Sequence, residues 1–355
     1  MYRRLIMLEI DSSRGEGGGQ MVRTSVALSA VTGITAHLTR IRENRPTNGL
    51  SKQHCAAISA VAEMTGSQVE GNFTGSSELI FRPGTEQKNS ISLNIGTAGS
   101  ITLVLQAILL AARNHREGLT VDIRGGTNVL WAPPIDSYQQ VLFPLLDRMG
   151  VHTEVSIEER GFYPRGGGHV VASLDPIGRI YPMNLDELGE LISIRGVCFS
   201  QNLSEHISKE MVRSCVRTLK PVADAEVDIQ ITHGDSRGAG ICLVADFENG
   251  KLGSNALTTR EYSAEKTGED AANDLIREIW SCSTVDVHTA DQLLPYMAMA
   301  EGRSTFKVSK ISRHLLSQMD TLESFLDVRF GVERKDEIYH FSVNPGAKDE
   351  TVCAD

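Results

Sequence analysis

Apolar residues recur along the chain with two alternating periods. A strand-like run (Leu5, Ile6, Leu8, Ile10) gives way to a helical spacing (Val22, Val26, Ala27, Leu28, Val31), and the alternation then repeats. In a first unit the pattern predicts helices over 20–32 and 51–65, with strands near 5–10, 35–40, 67–71 and 78–82. A second unit predicts a strand over 91–95, a helix over 101–113, a strand over 119–123 and a helix over 135–149. Short strands near 151–157 and 169–174 close it. A third unit follows after a long gap: strand 285–287, helix 290–300, strand 304–308, helix 314–326, then strands 328–332 and 339–343. Helix order and turn positions agree among the three, so the chain reads as three copies of one unit, two helices with a four-stranded sheet.

Residues 184–280 break this rhythm. They predict strands over 191–198, 225–232, 239–247 and 252–257, with helices over 204–219 and 264–280, enough for a self-contained module. The expected organisation is a three-repeat body from 1–183 and 281–345, a smaller inserted α/β domain over 184–280, and a disordered tail over 346–355.

Composition narrows the class. The chain has 355 residues, 41% hydrophobic and 23% charged, which fits a soluble globular protein of two domains. The N-terminal apolar run is too short for a signal peptide to be expected, and the longest apolar run, 101–112, is interrupted by Gln106 and is not expected to span a bilayer. The six cysteines are scattered without metal-ligand spacing, so reduced thiols in a cytoplasmic protein are expected. A net charge of −10 argues against a long electrostatic track for nucleic acid. Residues 1–55, however, hold eight Lys/Arg against four Asp/Glu, a local balance that suits a confined phosphate site.

The stretch that carries chemistry is Ile10-Asp-Ser-Ser-Arg-Gly-Glu-Gly-Gly-Gly-Gln-Met-Val-Arg23, a glycine turn between strand and helix. Such a turn offers backbone N–H groups and the positive end of a helix dipole to an anion. It is neither of the common nucleotide loops. A dinucleotide fingerprint counted from Gly15 and Gly17 would need glycine where Gln20 stands, and Gly250-Lys251 is followed by Leu252, so there is no P-loop. The segment after strand 35–40 adds Arg42, Arg45, Lys52, Gln53 and His54, a phosphate clamp in composition. Among ten histidines, His37, His115, His152 and His340 fall on strands or surface turns without polar company. His314 opens a helix, where the dipole favours the neutral imidazole that a nitrogen nucleophile requires. Units packed side by side bring their helix starts together, so Glu16, Arg23, residues 96–100, Asp291 and His314 are expected to line one cleft. Gln106, a lone amide in an apolar helix, needs a partner there.

At this point the residues resemble a known family. Arg160-Gly-Phe-Tyr-Pro-Arg-Gly-Gly-Gly168 is similar to the Arg-Gly-x-x-Pro-x-Gly-Gly-Gly signature of the RNA 3′-terminal phosphate cyclases. Arg14-Gly-Glu-Gly-Gly-Gly-Gln20, Gly125-Gly-Thr-Asn with Ala132-Pro-Pro-Ile-Asp136, and Ala290-Asp-Gln-Leu293 are similar to other blocks of that family. The resemblance covers nearly the whole chain. It implies a three-repeat α/β (α+β) body, shared with enolpyruvyl transferases, and a reaction that consumes ATP with a divalent metal (Mg or Mn). A histidine attacks the α-phosphorus, AMP passes from that histidine to an RNA 3′-phosphate, and the neighbouring 2′-hydroxyl closes a 2′,3′-cyclic phosphate.

By the same resemblance His314 is the nucleophile, although Ser312-Arg313 precedes it where the family pattern has Ser-Cys. Arg23, Arg42, His54 and Asp291 belong to the catalytic set. Gln53, Gln106, Pro133, His288, Thr289, Ala290, Asp291 and Gln292 are expected at ATP, and Glu16 on the metal side. A homodimer is a further implication. The chain holds no Lys-x-Asp-Gly, the lysine nucleophile motif of ordinary ligases, which agrees with a histidine route. Two other functions compete: a cyclase-like RNA-binding or ribosome-assembly protein without catalysis, and an enolpyruvyl transferase. Retention of His314, Arg23, Arg42 and Asp291 argues against the first, and the signature block with its inserted domain against the second.

Overall fold

The computed structural model describes residues 7–14, 18–259 and 261–346. The first repeat begins with β1 (Met7–Asp11), α1 (Gly19–Thr32), β2 (Thr35–Thr39) and α2 (Lys52–Thr65), and closes with β3 (Gln68–Glu70) and β4 (Leu79–Arg82). The second runs β5 (Ser90–Asn94), α3 (Ile101–Ala111), β6 (Leu119–Gly125), a helical stretch, then β7 (Thr153–Glu159) and β8 (Gly168–Leu174). The two sheets share one order, β1-β2-β4-β3 and β5-β6-β8-β7. In each, the first two strands are parallel and the rest antiparallel. A helix must connect the parallel pair, because a hairpin cannot.

The predicted helix 135–149 is not uniform. It comprises α4 (Ile135–Ser137), a π-helical turn (Tyr138–Leu142) and α5 (Phe143–Arg148). Pro144 has no N–H for the i→i−4 ladder, and the Phe143 N–H reaches back five residues to the Tyr138 carbonyl.

The remaining strands and helices are β9 (Leu191–Gln201), α6 (Glu205–Leu219), β10 (Ala225–Thr232), β11 (Gly238–Phe247), β12 (Lys251–Leu257), α7 (Ala264–Trp280), α8 (Val287–Ala298), β13 (Ser304–Val308), α9 (Arg313–Phe325), β14 (Val328–Lys335) and β15 (Ile338–Pro345). Strands β10-β9-β11-β12 form a separate sheet, and α6 and α7 pack with it around their own apolar cluster, including Met211, Cys215, Ile241 and Leu275. The helices approach closely at Gly268, where a Cβ would stand 2.2 Å from the Met211 carbonyl oxygen.

The third repeat departs from the expected four strands: its sheet is β13-β15-β14. The predicted strand 285–287 does not form. Thr284 and Val285 lie along β13, but both amides donate to the Lys307 carbonyl, and the Thr284 hydroxyl accepts from the Lys307 N–H. Asp286 then caps α8, so the backbone turns into a helix at Val287 before a ladder can extend. Asn344 and Pro345, which lie past the predicted last strand, belong to β15; residues 347–355 lie outside the described residues.

The apolar core is continuous across the repeats: Val26, Ile58, Val104, Ile108, Leu293, Phe306 and Leu322 belong to one buried cluster. No helix among the described residues is long and apolar enough to cross a membrane. Cys55, Cys198, Cys215, Cys242 and Cys282 are free thiols. His37 and His152 do have polar company. His37 meets Glu9 at 2.7 Å and Glu78 at 2.6 Å, and these contacts raise its pKa; His152 meets Asp147. Glu9 comes from β1, Glu78 from the residue before β4 and Asp147 from α5, each outside the histidine's own strand or turn.

Candidate active site

The starts of α1, α2, α3, α8 and α9 surround one cleft of about 910 Å³. At its floor α1 begins on Gly18, with no side-chain cap and no acidic residue in its first turn. By contrast, Ser100, Asp286 and Ser312 cap α3, α8 and α9 with side-chain acceptors. An N-terminus without a capping side chain presents backbone N–H groups to an anion.

The glycines here serve close approach. A Cβ on Gly19 would stand 1.9 Å from Nε2 of His54, so only glycine lets that imidazole lie on the helix start. A Cβ on Gly18 would lie 3.3 Å from Nη2 of Arg45 and 3.9 Å from Cε1 of His314. The glycine turn, Arg45 and His314 thus meet, although roughly 300 residues separate the first from the last.

His54 occupies the third position of α2, and its Nδ1 accepts the Ser51 N–H at 3.0 Å. Desolvation, then the charges of Arg23 and Arg42, lower its pKa to about 3. A neutral ring with Nδ1 accepting carries its proton on Nε2, so His54 offers the cleft a donor and not a base.

Arg23 is 5% exposed, and its pKa falls to about 10 through burial, opposed by Tyr138. Among the described residues its Nε has no hydrogen-bond partner, nor do Gln20 Oε1 and Tyr138 OH. A buried guanidinium without a carboxylate is costly and calls for an anionic ligand. Arg42 sits in a left-handed conformation (φ 57°) and donates from Nη1 to the Gly49 carbonyl; burial, then Arg45, lowers its pKa.

On the opposite wall, Asp291 is buried, and its Oδ1 accepts the Ser312 hydroxyl at 2.9 Å. Ser312 Oγ in turn accepts the Leu315 N–H at 2.8 Å, so Asp291 holds the cap of the helix whose second residue is His314. Gln53 accepts the Ser100 N–H at 2.7 Å and ties α2 to the start of α3. The Thr102 hydroxyl, in the first turn of α3, donates to the Pro133 carbonyl and fixes the loop that carries Pro133.

Of the residues expected at the site, His314, Arg23, Arg42, His54, Asp291, Gln53, Gln106, Pro133, His288 and Gln292 all line this cleft. Thr289 and Ala290 do not. Both amides and the Thr289 hydroxyl serve the α8 start, with Thr289 bonded to Asp286, and Ala290 is sealed in the core. Glu16 lies outside the described residues. The lining also includes residues that the sequence did not single out: Tyr138, Leu130, Trp131, Tyr163 and Asn255. Asn255 comes from β12, and no local pattern marks it. Among the described residues there is no group of three or more His, Cys, Asp or Glu side chains placed to hold a metal, and Glu16, expected on the metal side, lies outside them.

The signature arginine plays a different part. Arg160 is 4% and Asp136 2% exposed, and they form a paired contact at 2.7 and 2.9 Å. Arg160 also donates to Gln230 at 2.7 Å and lies 4.5 Å above the Phe199 ring, joining the second repeat to the β9–β12 sheet.

A cleft of buried and half-buried cations around a helix start, with an imidazole above it, defines a protein that handles phosphate groups. The family model for RNA 3′-terminal phosphate cyclase matches residues 14–332, and the chain belongs to that family. The RNA 3′-terminal phosphate cyclase of Methanosarcina barkeri is 40% identical over 339 residues, covering 95% of this chain and 100% of the relative. Those of Methanopyrus kandleri and Nitrosospira multiformis are 38% and 39% identical, covering 93% and 96% of this chain and 96% and 97% of theirs. A solved EPSP synthase from Acinetobacter baumannii aligns with 96% of this chain and 65% of its own at 12% identity and a TM-score of 0.30.

Proposed function

We propose that this chain converts an RNA 3′-terminal phosphate to a 2′,3′-cyclic phosphodiester at the expense of ATP, with His314 carrying AMP in between. The observation that bears most of the weight is the meeting of His314 with the α1 start beside Arg23, a buried cation whose Nε has no partner among the described residues. The names of the relatives support the RNA-end chemistry.

The reaction balances in three steps. An imidazole nitrogen of His314 bonds to the α-phosphorus as the bond to pyrophosphate breaks. An oxygen of the RNA 3′-phosphate then takes the adenylyl group, breaking the N–P bond. Finally the 2′-hydroxyl bonds to the terminal phosphorus, releases its proton and expels AMP. Phosphoryl transfer is mainly positioning and charge neutralisation. Arg23 and the α1 N–H groups offer positive charge to the phosphates, Arg42 adds a partly desolvated cation, and His54 donates from Nε2. Asp291 acts through Ser312 to fix the turn from which His314 projects, so its role is to position. Gln106, Pro133, His288 and Gln292 stand as nucleotide contacts. A divalent metal, with Glu16 on its side of the site, would supply further charge neutralisation, and no step here is routed through it.

Incubation of the protein with α-labelled ATP tests the proposal. The expected product is a protein–AMP adduct, labile in acid, stable in base and absent from His314→Ala. A folded wild type that never takes up label would leave the non-catalytic RNA-binding reading in its place.

A further inference from the structure

The rim of the cleft carries an arrangement that the adenylylation chemistry does not use. Trp131 is 98% exposed, the largest exposure among the large hydrophobic side chains described, and Tyr163 follows at 73%. Both line the cleft, with the half-exposed Leu130 beside Trp131 in sequence. Water is a poor home for an indole, and Trp131 is also held at φ 66°, the left-handed region that bulky residues rarely enter. The start of the loop that carries it is anchored to the neighbouring loop. The Thr127 and Asn128 amides donate to the Gly161 carbonyl, the Gly161 amide donates to the Thr127 hydroxyl, and Asn128 bridges Phe162. Asn128 also donates to Asp136, while the Phe162 amide donates to Ser236. Two braced loops, 126–134 and 161–167, therefore stand side by side, each with an aromatic ring presented outward at the mouth of a cation-lined cleft. Strain and exposure that persist in a braced loop point to a role in binding.

Resting on the RNA-end reading above, we propose that Trp131 and Tyr163 form a stacking ledge for the bases that precede the terminal nucleotide of a single-stranded RNA. The terminal phosphate enters the cleft toward Arg23 and the α1 start, so the strand must leave over the rim, where these rings stand. Every base has a flat π face, so aromatic platforms bind single strands with little regard to sequence. The exposed Arg165, two residues beyond Tyr163, brings a cation to the same loop for the backbone phosphates. The ledge selects an unpaired 3′ end, because a paired terminus keeps its bases in the helical stack.

The test compares wild type, Trp131→Ala, Trp131→Phe and Tyr163→Ala on two substrates: a single-stranded oligoribonucleotide 3′-phosphate, and the same strand with its 3′ end paired. Direct binding of the fluorescently tagged oligonucleotide is titrated alongside cyclisation. Trp131→Ala is expected to weaken binding and raise KM for the single strand roughly ten- to hundredfold, with kcat changed much less, and to erase most of the preference over the paired end. Trp131→Phe should recover most of the loss, which a merely structural role would not explain. Unchanged oligonucleotide binding by both alanine variants would overturn the ledge. So would slower labelling by α-labelled ATP with unchanged RNA binding, since the ring would then serve the nucleotide. Failure of wild type to take up label would remove the adenylylation reading alone, because the binding titration still judges the ledge.

Discussion

Replacing Arg23 with methionine should make this protein more stable and nearly inactive. The guanidinium is 5% exposed, and its pKa falls well below the ordinary arginine value, to about 10, because burial strips its water. Every tenfold loss of proton affinity corresponds to about 1.4 kcal/mol, so the folded state carries a cost of about 3 kcal/mol for that charge. The sign follows from linkage. The unfolded chain holds the proton more tightly than the fold does, so the cost is fully present below pH 10. It is relieved only as pH rises from there toward the ordinary arginine pKa. At neutral pH it is therefore constant.

Methionine keeps much of the stem and removes the charge, which should return roughly 1–3 kcal/mol in urea unfolding at pH 7. Pyrophosphate supplies the missing counter-charge and should raise the melting temperature of wild type markedly, with little effect on Arg23→Met. Cyclisation should fall at least about a hundredfold, as for loss of a donor aimed at developing negative charge. A variant less stable than wild type, or one that pyrophosphate stabilises equally, would refute the claim that this cation is kept unpaired for a phosphate.

Two further predictions come from the same geometry. His54 stays neutral in the fold down to about pH 3, whereas in the unfolded chain it takes up a proton below about 6.5; stability should therefore decline as pH falls through that window, by about 1.6 kcal/mol between pH 6.5 and 5 from this group. His54→Gln should flatten that slope in urea unfolding series, and an unchanged slope would contradict the assignment. Asp136→Ala leaves Arg160 buried without its carboxylate and should cost about 3–5 kcal/mol, while Asp136→Leu combined with Arg160→Met should recover much of that; a double variant as unstable as the single one would sink the argument.

Local periodicity made the fold legible wherever structure is set by local contacts. The helices of all three repeats and the strands of the β9–β12 sheet announce themselves by spacing, and their ends fall within a few residues of expectation. Val285-Asp286-Val287 misled because apolar-polar-apolar is also how a strand reads. In the fold Asp286 accepts from the His288, Thr289 and Gly253 amides and the Thr289 hydroxyl, and the Gly253 bond arrives from β12. Thr289 and Ala290 fall outside the cleft lining for a related reason: one face of α8 meets the cleft at His288, Asp291 and Gln292. Asn255 and the aromatic rim were invisible because their meaning depends on which loops lie side by side. His314 was legible because a helix start is a local feature with a predictable field.

Two arginines show why sequence blocks and active-site residues need not coincide. Arg160, from the block most diagnostic of the family, is neutralised by Asp136, donates to Gln230 and lies on Phe199. With its charge balanced inside the protein, it has little left to offer a ligand, and its work is to hold the β9–β12 sheet against the second repeat. Arg23 is buried almost as deeply, yet its Nε finds no partner among the described residues. Folding alone would not select that arrangement, since a paired or apolar side chain would be more stable. The joint made by Arg160 holds the β9–β12 sheet to the second repeat, whereas Arg23 keeps an Nε that has no partner among the described residues beside the cleft. One arginine spends its donors inside the protein; the other keeps a donor that a phosphate would use.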